Sequence, residues 1–134
     1  SALKNTIKMS QDVAADALNM IRNAIKARKE TVEIKRISGL LIEIFKIMKQ
    51  KGAIKRYKID SKKKTAEVDL GKIFECRAIK PRFTVKKDQI EKYRRRFLPA
   101  RDIGTIIIST GKGLVTHEEA SEKGAGGCLI AYFY

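Results

Sequence analysis

A chain of 134 residues has room for one compact domain or two small subdomains, which excludes two independent enzymes. Lys and Arg number 30 against 15 acidic residues, and a net charge of +15 favours an anionic partner, nucleic acid first. No apolar run approaches the ~20 residues that span a membrane, and the start lacks a signal-peptide pattern, so we expect a cytoplasmic protein without a membrane partner.

The chain begins with alternating helix and strand patterns. Apolar residues at helical spacing after a capping residue, Ser10, predict an amphipathic helix over residues 11–26, and residues 31–34 alternate like a short strand. Ser38 is placed to cap a second helix, which stops at Gly52 because glycine accepts a left-handed backbone.

A basic hairpin follows the second helix. Two β-patterned runs, residues 53–59 and 65–70, flank the sequence Asp-Ser-Lys-Lys-Lys, and residues 73–79 predict another strand. We therefore predict an N-terminal α-β-α-β-β subdomain over residues 1–80.

Two prolines, Pro81 and Pro99, bracket the next part of the chain, residues 81–102. This part is strongly cationic, and we predict a basic connector in which Asp88 caps a short helix that runs through Phe97.

The last segment, residues 103–134, is predicted to be a mostly β subdomain with one short helix. Its predicted elements are a strand over 105–108, a loop over 109–113, a strand over 114–116, a helix over 117–123 and a closing strand over 128–134. The helix has a capping signature, Thr116 followed three residues later by Glu119, and a stop at Gly124. The predicted fold class is α+β, with the N-terminal subdomain packed against the C-terminal one.

Positive charge is concentrated in two segments. Residues 46–64 carry nine basic side chains against one acid, and residues 77–101 carry ten against two. Each segment therefore contributes +8, whereas residues 109–127 are close to neutral. One basic run is usually a solvated face, but two runs of this size favour binding to nucleic acid.

The near-neutral stretch contains a Gly-Lys-Gly sequence that resembles a nucleotide-binding phosphate loop. That loop requires a Ser or Thr after the lysine, but this chain has Gly113 at that position. The preceding residues, 105–108, are β-branched and favour a strand over a loop that surrounds phosphates. His117-Glu118 also fails as a metalloprotease helix, because Ser121 stands where the second histidine is required. We therefore predict no enzymatic activity and no small-molecule substrate.

Metal binding is not predicted either. Cys76 and Cys128 belong to no Cys-x-x-Cys pair, and His117 is the only histidine, so a four-ligand zinc site lacks ligands. We interpret the cysteines as reduced residues in or near strands, and His117 as a helix N-terminal residue or a surface donor to an anion. No cofactor is expected.

Residues 109–127 are rich in hydroxyl side chains and glycines. Glycines allow close approach to another polymer, and the Ser109 and Thr110 hydroxyls can bond sugar hydroxyls, phosphates or base edges. The structural alternative is two ordinary turns, one closing a hairpin at residues 110–113 and one ending a helix at residues 124–127.

The same stretch carries a long motif. Ile-Ser-Thr-Gly-Lys-Gly-Leu-Val-Thr-His-Glu-Glu-Ala from Ile108, followed by Lys-Gly-Ala-Gly-Gly from Lys123, resembles the C-terminal signature of the small-subunit ribosomal protein eight family. Ala-Ile-Lys-Pro-Arg-Phe from Ala78 and Phe-Leu-Pro-Ala-Arg-Asp from Phe97 resemble its archaeal and eukaryotic branch. The similarity extends over nearly the whole chain.

The resemblance implies a primary rRNA-binding protein that recognises an irregular stem in the central domain of small-subunit rRNA and aids subunit assembly. It also implies neighbouring small-subunit ribosomal proteins as partners. By position, the RNA-binding residues that it implies are Ser109, Thr110, Gly111, Lys112, Gly124, Gly126 and Gly127. The alternative function is a free RNA or DNA chaperone outside the ribosome.

Further RNA contacts are predicted from basic side chains. Many relatives have Ser-Lys-Leu at the start of the second helix, where this chain has Ser-Gly-Leu from Ser38. Lys35 and Arg36 are interpreted as replacing the lost cation. Within the basic segments, the predicted RNA-binding residues are Lys55, Arg56, Arg94 and Arg95.

Overall fold

The structure, a computed structural model, describes residues 13–80, 82–100 and 102–134. Helices and strands are mixed along the chain, which confirms the predicted α+β class. Backbone packing divides the chain between Lys72 and Ile73 into two compact units, whereas the first predicted boundary lies after residue 80. The difference arises because the strand predicted over residues 73–79 is the short strand Cys76–Ala78, which pairs within the C-terminal sheet.

The N-terminal unit combines two helices with a three-stranded antiparallel sheet. Its described elements are α1 (Val13–Lys26), β1 (Thr31–Ile34), α2 (Gly39–Gln50), β2 (Ile54–Asp60) and β3 (Thr65–Leu70). The strands lie in the order β1-β3-β2. The predicted cap at Ser10 and the first two residues of the predicted helix lie outside the described residues.

Local signals fix the ends of α2 as predicted. The Ser38 Oγ accepts a hydrogen bond from the Leu41 N–H at 3.2 Å, and Gly52 follows the helix with a φ of 82°. The apolar faces of α1 and α2 are largely buried, with Ile21 and Phe45 both at 0% exposure. Together with strand residues such as Ile34 and Val68, they form the core of this unit.

The predicted basic hairpin is confirmed. The Asp60 Oδ1 accepts hydrogen bonds from the Lys62 N–H at 3.0 Å and the Lys63 N–H at 3.2 Å, and Lys64 adopts a left-handed φ of 53°. The aspartate therefore orders the turn and leaves its lysine side chains exposed.

The C-terminal unit is a sheet with two helices and a 3₁₀ turn. Its elements are β4 (Cys76–Ala78), β5 (Thr84–Val85), the 3₁₀ turn Lys87–Gln89, α3 (Ile90–Phe97), β6 (Thr105–Thr110), β7 (Gly113–Thr116), α4 (His117–Lys123) and β8 (Gly127–Phe133). The strands lie in the order β4-β8-β6-β7, and β5 also pairs with β8.

The prediction that Asp88 caps the connector helix is wrong. Asp88 lies inside the 3₁₀ turn, and the Gln89 Oε1 reaches back to accept a hydrogen bond from the Lys86 N–H at 3.0 Å. The 3₁₀ turn leads directly into α3, and no side chain of the described residues caps the N-terminus of that helix.

An aromatic row lies against the core of the C-terminal unit. Phe83, Tyr93, Phe97, Tyr132 and Tyr134 follow one another with ring centroids 4.9, 6.3, 5.1 and 6.4 Å apart. The first ring precedes β5, the next two belong to α3 and the last two lie at the end of β8. This row therefore connects the Arg-rich helix to the sheet.

Candidate nucleic-acid interface

The Ser-Thr-Gly-Lys-Gly sequence forms a β-hairpin rather than the predicted five-residue loop. Strand β6 continues through Thr110, β7 begins at Gly113, and these two residues pair across a two-residue turn made of Gly111 and Lys112. The strand is longer than predicted because Ser109 lies between two strands, pairing with Leu114 of β7 and with a residue of β8. The structure therefore agrees with the alternative hairpin interpretation of residues 110–113.

The Thr110 side chain orders the turn. Its hydroxyl donates a hydrogen bond to the Gly113 carbonyl oxygen at 2.9 Å and accepts one from the Lys112 N–H at 3.2 Å. The hydroxyl proton is thus used inside the turn, and at most one acceptor lone pair remains for a ligand.

Ser109 and Lys112 are the groups of this hairpin whose polar side chains are available to a partner. The half-buried Ser109 hydroxyl makes no hydrogen bond to any described residue, and the Lys112 side chain is exposed without an ion pair to that same part of the chain. Gly111, also exposed, has open space where a side chain would begin. The tip therefore combines a hydroxyl, a cation and accessible backbone.

The glycines after α4 are explained by close backbone approaches within the unit. A Cβ on Gly126 would lie 2.4 Å from the Val85 carbonyl oxygen, and one on Gly127 would lie 2.4 Å from the Ser109 carbonyl oxygen. Gly124 ends α4 with a left-handed φ of 62°, as predicted. Strand β5, which contacts Gly126, was not predicted because a two-residue strand carries no periodic signal.

Side chains at the start of α4 cap the helix and join it to β6. The Thr116 hydroxyl accepts a hydrogen bond from the Glu119 N–H at 3.2 Å, which confirms the predicted cap. His117 is only 5% exposed, and its Nδ1 accepts a hydrogen bond from the Ile106 N–H of β6 at 3.1 Å. The helix N-terminal position of His117 is confirmed, whereas its interpretation as a surface donor is wrong, because tertiary packing buries the ring.

Arg56, one of the predicted RNA-binding cations, is held by a neighbouring acid. Its Nε donates to the Asp69 Oδ2, while the Thr31 hydroxyl donates to the Asp69 Oδ1 at 3.0 Å. The hydrogen bonds from Arg56 and Thr31 hold the pKa of Asp69 below its ordinary value, and that carboxylate raises the pKa of Arg56. The Arg56 charge is therefore locally balanced.

Arg94 is engaged in a similar way. Its side chain is largely buried, and its Nε and Nη2 donate to the Glu91 Oε1 at 2.9 and 2.7 Å. This hydrogen-bonded carboxylate raises the pKa of Arg94. Arg95, on the same helix, is exposed, with its Nε 3.8 Å from the Glu91 Oε1. Of the two predicted arginines on α3, Arg95 is therefore the one accessible to a phosphate.

The remaining predicted cations, Lys35, Arg36 and Lys55, are exposed. They belong to the N-terminal unit, with the first pair directly after β1 and Lys55 at a register shift between β2 and β3. A bulge of this kind changes the direction of the side chains along a strand.

The described residues offer few groups for disulfide formation or metal binding. Neither Cys76, which is buried in β4, nor Cys128, in β8, forms a disulfide, in agreement with the interpretation of both as reduced strand residues. Within residues 13–80, 82–100 and 102–134, no group of three or more His, Cys, Asp or Glu side chains is arranged to hold a metal ion. None of the helices in these ranges is long and apolar enough to cross a membrane.

Comparison with known proteins confirms the family resemblance found in the sequence. The family model described as Ribosomal protein S8 matches residues 12–134. The Small ribosomal subunit protein uS8 of Nanoarchaeum equitans (strain Kin4-M) is 42% identical over 129 residues, which cover 94% of this chain and 100% of that relative. The chain therefore belongs to the ribosomal protein S8 family, whose members are structural constituents of the small ribosomal subunit and not enzymes.

Proposed function

We propose that this protein is a primary rRNA-binding protein, which recognises an irregular stem in the central domain of small-subunit rRNA and aids assembly of the subunit in the cytoplasm. Its binding has two components. Exposed basic side chains supply affinity through phosphates, and the Ser109–Lys112 hairpin selects the position on the RNA.

One observation carries this proposal, namely the hairpin tip itself. The hydroxyl of Ser109 is not used by any described residue, Gly111 leaves space above the backbone, and Lys112 adds a cation. RNA is recognised by shape and through sugar hydroxyls and phosphates, and small hydroxyl and glycine residues permit that close approach. A surface that bound only by charge would not need this combination.

The glycines after α4 support the tip indirectly. Gly127 lets β8 pass closely beside the Ser109 carbonyl, and Gly126 does the same beside Val85. We therefore assign these two glycines, which the family motif contributes, to the shape of the interface rather than to contact alone.

Affinity is expected to come from the accessible cations. Five predicted cations are exposed and make no hydrogen bond to a carboxylate of the described residues, namely Lys35, Arg36, Lys55, Arg95 and Lys112. Arg56 and Arg94 are assigned a supporting role, because each is hydrogen-bonded to a carboxylate of its own unit. Neighbouring small-subunit proteins are the proposed protein partners.

Nucleotide-resolution footprinting of the full chain on complete small-subunit rRNA tests the proposal. Protection confined to an irregular central-domain stem is the expected result, with large-subunit rRNA as the negative control. Protection spread evenly over both RNAs would contradict site recognition and would favour the free-chaperone alternative. Co-sedimentation with small subunits in moderate salt then distinguishes an assembled protein from a chaperone, since a chaperone washes off.

A further inference from the structure

The sheet topology brings two further lysines, Lys86 and Lys87, to the hairpin end of the C-terminal unit. Strands β5 and β6 lie on opposite edges of β8, because Thr84 and Ser109 both pair with Cys128. Both strands run antiparallel to β8 and therefore parallel to each other. Lys86, which follows β5, and the turn that follows β6 consequently leave the sheet at the same end.

The glycine segment, residues 124–127, lies between these two exits. A Cβ on Gly126 would lie 3.0 Å from the Lys86 Cα, and one on Gly127 would lie 2.4 Å from the Ser109 carbonyl oxygen. Neighbouring strands are about 4.8 Å apart, so the backbones of β5 and β6 are separated by about 10 Å across β8. The hairpin and Lys86 thus flank a narrow strip of backbone.

Lys87 lies on the same strip. Its side chain crosses the end of α4, where a Cβ on Gly124 would be 3.6 Å from the Lys87 Cδ and 4.0 Å from the Lys87 Nζ. Lys86 and Lys87 are exposed, and neither forms an ion pair with a residue of the described ranges. Their charges are therefore not balanced by a carboxylate of these ranges, in contrast to those of Arg56 and Arg94.

We infer that Lys86 and Lys87 are phosphate-binding residues of the same RNA site, so that the RNA backbone crosses the glycine segment with Lys112 on one side and these two lysines on the other. This inference rests on the proposed function. Three cations around a strip of small residues match a polyanion that approaches the protein backbone closely. The charges of Lys86 and Lys87 lie beside the nearly neutral residues 109–127, although the two lysines belong to the basic segment of residues 77–101.

The salt dependence of RNA binding tests this inference. We would measure association of the full chain with small-subunit rRNA at several salt concentrations, for wild type, Lys86→Gln, Lys87→Gln and the double variant. Each substitution should reduce the slope of log K against log salt by about 0.7–0.9, and the double variant by about 1.6. Lys86→Arg and Lys87→Arg retain the charge and should retain the slope, and a slope as low as that of the glutamine variants would contradict a role of the charge.

Lys29→Gln is the matched control, because Lys29 is an exposed lysine outside both basic segments. An equal slope change in this control would overturn the inference, since the effect would then be general electrostatics. Thermal unfolding verifies that each variant folds.

Ethylation interference identifies the phosphates involved. Ethylated phosphates that weaken wild-type binding should cease to interfere in Lys86→Gln and Lys87→Gln, and they should lie on the same stem as those lost in Lys112→Gln but at different positions. If only Lys112→Gln changes the pattern, the inference is wrong and the proposed function stands. If the wild type shows no confined interference on small-subunit rRNA, the proposed function itself fails.

Discussion

Gly127 and Ser109 are in backbone contact, since a Cβ on Gly127 would lie 2.4 Å from the Ser109 carbonyl oxygen and 2.8 Å from the Ile108 Cγ2. The contact joins the start of β8 to the end of β6, directly before the hairpin turn. The glycine-rich motif and the Ser-Thr motif therefore meet in one backbone contact between β8 and β6.

Substitution of Gly127 by Ala should destabilise the protein, because the added methyl meets a carbonyl oxygen that belongs to a paired strand. Overpacking of this kind typically costs about 1–3 kcal/mol in the free energy of unfolding. Urea denaturation followed by circular dichroism measures the change. Gly111→Ala is the matched control, since open space surrounds that position, and we expect its stability to change by less than about 0.5 kcal/mol. Equal destabilisation of the two variants would contradict the assigned contact.

Ser109 and Thr110 should respond differently to loss of their hydroxyls. Ser109→Ala should leave stability unchanged and weaken binding to the cognate rRNA stem by about 1 kcal/mol, because its hydroxyl makes no hydrogen bond within the described protein. The salt slope should be retained, since no charge is removed. Comparison of affinities for the cognate stem and a regular duplex provides the measurement. Equal losses on both RNAs would argue against a role of Ser109 in site selection.

Thr110→Val should act on the turn instead. It removes the hydrogen bonds to the Gly113 carbonyl and from the Lys112 N–H, and a loss of about 0.5–1.5 kcal/mol in unfolding free energy is expected. Amide hydrogen exchange should be faster at Lys112, whereas Thr110→Ser retains the hydroxyl and should retain the protection. Unchanged exchange in the valine variant would show that the turn is ordered by other contacts.

Substitutions of the two neighbouring arginines of α3 should have different effects, one on protein stability and the other on RNA affinity. Arg94→Gln removes both hydrogen bonds to Glu91 from a largely buried side chain, so we expect a lower thermal midpoint. Arg95→Gln removes an exposed charge and should instead reduce the salt slope of rRNA binding by about 0.7–0.9, with the midpoint unchanged. A reduced slope in Arg94→Gln, without loss of stability, would show that its charge reaches the RNA.

The acid sensitivity of the protein should depend partly on Asp69. Hydrogen bonds from Arg56 and Thr31 lower the pKa of this carboxyl below its ordinary value of 3.8 in the folded state. Stabilisation by the ionised group is therefore present above that ordinary value, and it is lost as the pH falls through the lower, folded pKa. Asp69→Asn should be less stable than wild type at neutral pH, and the difference should shrink as the pH falls below about 4. Urea denaturation at a series of pH values checks this, and a difference that is independent of pH would exclude linkage to Asp69.

Local chemistry explains why several elements could be predicted from the sequence. Ser38 and Thr116 each accept a hydrogen bond from a backbone N–H three residues later, and Gly52 and Gly124 each take a left-handed conformation. Such signals involve neighbours in the chain, so a reading of the sequence detects them. The family motif likewise predicts residues 109–112 as part of the candidate site.

Non-local pairing explains what could not be predicted. The two-residue β5 exists only because β8 offers it a partner. The burial of His117 depends on the Ile106 N–H of β6, which lies in another element. Backbone hydrogen bonds and burial between distant segments leave no periodic pattern in the sequence.

Charge, residue type and spacing are properties of the chain, so they were sufficient to indicate an anionic partner, to exclude the phosphate-loop and metalloprotease motifs and to locate the Ser-Thr-Gly-Lys-Gly motif. Folding sets which cations hydrogen-bond to a carboxylate. Asp69 engages Arg56 and Glu91 engages Arg94, whereas Lys86 and Lys87 are brought beside the glycine segment. A net charge is a sum over residues, whereas the availability of each charge depends on the carboxylates and backbone that folding brings next to it.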